Sequence, residues 1–176
     1  AGWRVAAGAL HAAVGPSVRV QVQEQQPVLV GQPVHIDVTV VAPNFFTSAP
    51  PFPSVQVDGA IVTLPDQRAT NGVEHEGEQT LATIRKSYLF TAQQAGEFQL
   101  PPVKVEFTWS GDDGKPQEAH LTWPGTKIVA QLPAGVQAGE GVPLPVGSVT
   151  VQQSFDRRLG GLAAGDALVR TVEMRA

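Results

Sequence analysis

Cysteine is absent from this 176-residue sequence. That excludes disulfides, thiolate nucleophiles and Cys-ligated zinc, while leaving the compartment open, since a domain of this size folds without cross-links. Charge is scarce as well. Asp, Glu, Lys and Arg make up 16% of residues, against about 25% in ordinary soluble domains. The balance is acidic, with a net charge of -4, so there is no basic field to draw nucleic acid or an acidic membrane surface. No stretch reaches the roughly 18 consecutive apolar residues of a membrane-spanning helix, and no sustained helical stripe runs between Ser17 and Leu132.

What the sequence does have is hydrophobic residues, at 42%, together with 18 Gly and 15 Pro spread along the chain without a collagen period. From Ser17 the hydrophobic pattern has a period of two. Val18, Val20 and Val22 alternate with Arg19, Gln21 and Gln23. Val34, Ile36, Val38 and Val40 alternate with His35, Asp37 and Thr39, and Val103, Val105, Phe107 and Trp109 with Lys104, Glu106 and Thr108. Such alternation marks strands with one buried and one wet face. VDGA at Val57–Ala60, TNG at Thr70–Gly72 and SGDDGKP at Ser110–Pro116 read as turns. Pro101-Pro102 blocks ladder hydrogen bonding and predicts a kink or a strand switch. The expected fold is all-β, an antiparallel β-sandwich over residues 17–131, with a closed barrel as the alternative. Its expected core is Val18, Val20, Val34, Ile36, Val38, Val40, Tyr88, Phe98, Val103, Val105 and Phe107.

Three regions depart from that pattern. Residues 1–16 are rich in Ala and Gly. Ala7 and Ala9 stand in the A-x-A arrangement that ends a signal peptide, and a short or frayed helical segment is an equal reading. APNFFTSAPPFP at Ala42–Pro53 holds four prolines and three phenylalanines, which makes it a loop or an edge. Residues 132–147 are Gly/Pro-rich and nearly uncharged, the composition of a linker. Beyond the linker, residues 148–176 echo the start of the domain. Ser148-Val149-Thr150-Val151 matches Ser17-Val18-Arg19-Val20, and Gly165 matches Gly31 before a second alternating run. The expectation is the first two strands of a second similar module. Val149 and Val151 would lie in one of them, with Leu168, Val172 and Met174 lining a face of the other.

The order of several short motifs resembles the BatD-like (oxygen-tolerance) family. These are Gly31-Gln32-Pro33, Pro51-Phe52-Pro53, Val57-Asp58-Gly59-Ala60, Tyr88-Leu89-Phe90-Thr91, Ala95-Gly96-Glu97-Phe98-Gln99-Leu100-Pro101 and Gly165-Asp166-Ala167-Leu168-Val169-Arg170-Thr171. The resemblance spans about Ser17 to Ala176. It implies tandem immunoglobulin-like domains on the periplasmic face of a bacterial inner membrane, and a membrane anchor outside this fragment. It also implies partners of the von Willebrand A type and a MoxR-type ATPase, in envelope assembly or stress tolerance. It implies no catalytic residue.

The polar residues form no catalytic or metal-binding pattern. His75 lies among Glu74, Glu76 and Glu78, but strand spacing puts it opposite those carboxylates, and a solvated acidic loop is the simpler reading. His35 and His120 occupy outward positions, and Asp112-Asp113 reads as turn chemistry. No G-x-S-x-G, G-x-G-x-x-G or P-loop occurs. The expectation is therefore a protein without enzymatic activity, bound metal or cofactor. Trp109 continues the inward series. Phe45, Phe46 and Phe52 either fold back on the sandwich or form a contact patch for a partner protein. The alternative function, a secreted carbohydrate-binding module, needs an exposed row of coplanar aromatics.

Overall fold

The computed structural model describes residues 14–64, 68–139 and 148–175. Ala7, Ala9, Trp3 and His11 lie outside the described residues, as does 140–147 of the expected linker. The chain divides into two compact units, Ala1–Pro143 and Leu144–Ala176.

The first unit is built on β1 (Ser17–Val22), β2 (Val28–Leu29), β3 (Pro33–Pro43), β4 (Ala60–Thr63), β5 (Thr70–Glu76) and β6 (Gln79–Ala92). It continues with β7 (Gly96–Leu100), β8 (Val103–Ser110), β9 (Pro116–Trp123) and β10 (Thr126–Gln131). One sheet runs β1-β3-β6, with β4 and β5 both paired to the far side of the 14-residue β6. All of these pairings are antiparallel. The opposing layer holds β2-β10-β7 and the β8-β9 pair, and the only parallel pairing among the described strands is β2 with β10. The fold is an all-β sandwich, as the alternation predicts.

Residues 96–131 form one long hairpin bent in the middle. Leu100 pairs with Thr126 and Val103 with Trp123, so the register runs unbroken across the gap. Pro101 and Pro102 supply no backbone donor, which interrupts the ladder at the bend. The bend splits the core. Val34, Ile36, Val38, Tyr88, Phe90, Phe98, Leu100, Trp123 and Ile128 pack over the β7–β10 half, while Val40, Ala42, Val105, Phe107 and Ala119 pack over the β8–β9 half. Of the expected core, Val34, Ile36, Val38, Val40, Tyr88, Phe98, Val105 and Phe107 are buried, and Val18, Val20 and Val103 are partly buried against them.

The turns at Val57–Ala60 and Ser110–Pro116 form as expected, with Gly59 and Gly114 at φ 75° and 76°. Thr70–Gly72 is a correction. It is not a turn but the start of β5, and the reversal comes at Gly77, φ 61°. Asn71-Gly72 carries turn propensity, but pairing with Ile84 and Thr83 outweighs it. The 74–78 stretch is likewise the end of a hairpin rather than a loop, with Glu74 and His75 on opposite faces of β5.

The second unit contains an antiparallel pair, β11 (Thr150–Phe155) with β12 (Arg170–Arg175). Val149 and Leu168 fall just outside the two strands. The repeat would place Val151 opposite Val172, but Val151 pairs with Met174. A slip of two residues keeps every side chain on its expected face. Gly31 and Gly165 both have positive φ, 81° and 100°. Val151, Val172 and Met174 share a face with Arg170 and are exposed.

Candidate binding surfaces

The connection from β3 to β4, residues 44–59, positions all three candidate phenylalanines. Its first part is stitched to the outer edge of β8. Ser110 donates its backbone N–H to the Phe45 carbonyl (3.0 Å), and Thr47 donates to the Thr108 carbonyl (2.9 Å). The Ser48 hydroxyl accepts from the Thr108 N–H (2.8 Å). Asn44, in the left-handed region at φ 61°, donates through its side-chain amide to the Ser110 carbonyl. An edge strand otherwise presents a row of open backbone groups, and this segment closes part of it.

The backbone alternates here, so the two adjacent phenylalanines diverge. Phe46 turns inward, its ring centroid 5.3 Å from that of Phe107, in the β8–β9 half of the core. Phe45 points outward and is 58% exposed. Phe52 packs against both halves of the core, with the Lys86 ammonium 5.5 Å from its ring centroid. The structure therefore separates the three: Phe46 and Phe52 contribute packing, and Phe45 alone is left on the surface.

Farther along, the same connection crosses the open side of the sandwich. Tyr88 Oη donates to the Pro53 carbonyl at 2.8 Å, and Val55 is buried. Burial pushes the Tyr88 phenol up to about 12, because the phenolate would lose its hydration there. Trp123 meets Tyr88 edge-on at 5.3 Å, and its buried Nε1 has no hydrogen-bond partner among the described residues. Past the Val57–Ala60 turn the two arms splay apart. A depression of about 420 Å³ opens between them, lined by Ser54, Val55, Val62, Thr63, Leu64, Lys86 and Tyr88. Sequence reading missed Lys86, which sits between two polar neighbours, Arg85 and Ser87. Counting back by two from Tyr88 would have placed it on the core face.

The outer face of the larger sheet is polar. Asp37 gathers Ser87 Oγ and Gln23 Nε2. Arg19 forms a two-pronged pair with Glu74 at 2.8 Å, linking β1 to β5 across two intervening strands. Ser17, Val41, Thr83 and Gly72 form the row between them. A Cβ on Gly72 would lie 2.8 Å from Thr83 Oγ1. His35 pairs with Glu24, and His120 lies beside Glu106 and Glu118 on the exposed face of β8-β9. Asp112 and Asp113 occupy the β8–β9 turn, where Asp113 accepts from the Lys115 N–H. No group of three His, Asp or Glu among the described residues is placed to hold a metal ion.

No family model, curated protein or solved structure matches the chain.

Proposed function

We propose that this chain is a non-enzymatic, extracytoplasmic protein-interaction module of immunoglobulin-like architecture, part of a BatD-like membrane-anchored protein. The observation that carries the reading is Phe45, a large aromatic held outward by a backbone hydrogen-bonded to β8. A preordered aromatic loses little conformational entropy on docking, and aromatics of this kind are common anchors of protein interfaces. The resemblance supplies the expected setting: the periplasmic face of the inner membrane, partners of the von Willebrand A type, and a role with a MoxR-type ATPase in envelope assembly or oxygen tolerance.

The alternative, a secreted carbohydrate-binding module, finds less support. Sugar platforms use exposed coplanar rings, and among the described residues Phe45 is the sole exposed aromatic. Trp109 and Trp123 pack in the sandwich. Chemical crosslinking of the full-length protein in its native membrane discriminates the two readings. Capture of a von Willebrand A-type membrane protein supports the interaction module. Retention on a polysaccharide column, with no such protein captured, favours the carbohydrate module.

A further inference from the structure

We propose that the depression on the open side of the sandwich is a binding site for a carboxylate carried on a short branched aliphatic group. Lys86 pairs in register with Val38, on the face of β6 that also presents Tyr88 and Phe90 to the core. A cation at such a position is costly unless its head group is satisfied. The Phe52 ring at 5.5 Å meets part of that need. No carboxylate among the described residues forms an ion pair with Lys86. An ammonium has three donors and a ring face engages it from one side, which leaves donor capacity for a ligand in the depression.

The rest of the lining selects the ligand's body. Val55, Val62 and Leu64 form an aliphatic wall, and Ser54 and Thr63 also border the depression. Tyr88 Oη is already committed to the Pro53 carbonyl, so it shapes the floor instead of receiving the ligand. The volume of about 420 Å³ falls in the range of small-ligand sites. One cation beside three aliphatic side chains suits a monocarboxylate with a compact hydrocarbon tail. Two sources share that chemistry: a free branched-chain acid and the C-terminal residue of a peptide ending in leucine.

Amide chemical shifts of the intact chain, followed by NMR during titration with isocaproate and with isocaproamide, test the site. The expected result is saturable shifts at Val62–Leu64 and Lys86–Tyr88, with the amide binding about tenfold more weakly or worse, because it forfeits the charge-assisted contact. Lys86→Met should reduce the acid to the amide's level, whereas Phe45→Ser should leave the titration unchanged. A blocked peptide ending in Val-Leu with a free carboxylate identifies the source: tighter binding than isocaproate assigns a chain end, equal or weaker binding a free acid. Equal affinity for acid and amide, no saturable shift, or full acid affinity in Lys86→Met overturns the proposal. The acid–amide comparison on the unsubstituted protein decides the matter should Lys86→Met fail to fold.

Discussion

The Tyr88 hydroxyl donates a 2.8 Å hydrogen bond to the Pro53 carbonyl, tying the proline-rich connection to the central strand β6 across 35 residues of sequence. Tyr88 is 2% exposed and its ring packs edge-on against Trp123. Removing the hydroxyl leaves the ring in place and loses one bond. Tyr88→Phe is therefore expected to lower unfolding stability by about 0.5–1.5 kcal/mol without altering the fold, as read by denaturant unfolding and far-UV circular dichroism.

The same phenol gives a pH signature. Its value is raised from 10.0 to about 12 by burial, so the folded state favours the neutral form. The resulting stability is whole below pH 10, the unfolded value, and is lost as pH rises through about 12. Relative to Tyr88→Phe, the protein should lose on the order of 2 kcal/mol over that window. Tyr88 is the single tyrosine in the chain, so tyrosinate absorbance reports its titration directly. A midpoint near 10 in the folded protein would show the hydroxyl to be hydrated.

Gly72 shows why a turn-like sequence forms a strand. Its missing side chain leaves room for Thr83 Oγ1, which a Cβ would approach to 2.8 Å. Gly72→Ala is expected to destabilise by about 1–2 kcal/mol. Thr83→Ala in the same chain should recover most of that loss, a coupling that a double-mutant cycle in denaturant measures.

Legibility followed burial. In β3 the inward residues Val34, Ile36, Val38 and Val40 are fully buried while His35 reaches solvent, and that contrast is what period two encodes. The kink at Pro101-Pro102 was also readable, because a missing donor is a property of the residue itself. The divergence of Phe45 from Phe46 was not. It depends on the segment pairing with β8, which is more than 60 residues away. Lys86 stayed hidden because a charged side chain between polar neighbours reads as solvated, and only the register of β6 turns it inward.

The β11–β12 pair should behave differently from the sandwich. An isolated two-stranded ribbon is marginal in water, and Val151, Val172 and Met174 are exposed on it. In β3, by contrast, each residue has a partner on β6, and most are flanked by β1 as well. Amides of Val169–Met174 are expected to exchange with solvent hydrogen much faster than those of Ile36–Val40. Equal protection in a monomer would mean that the 148–176 segment gains its stability from interactions beyond the β11–β12 pairing.

The most direct test of the interaction reading is a photoreactive phenylalanine analogue at Phe45 in the full-length, membrane-anchored protein. The account predicts a crosslink to a von Willebrand A-type membrane protein from position 45, and none from the same probe at Glu118 on the exposed face of β9. Phe46→Ser is a poor substitute for this probe, because losing the Phe107 contact would cost about 2–4 kcal/mol and confound folding with binding. Equal crosslinking from both positions, or no such protein captured from position 45, would contradict the account.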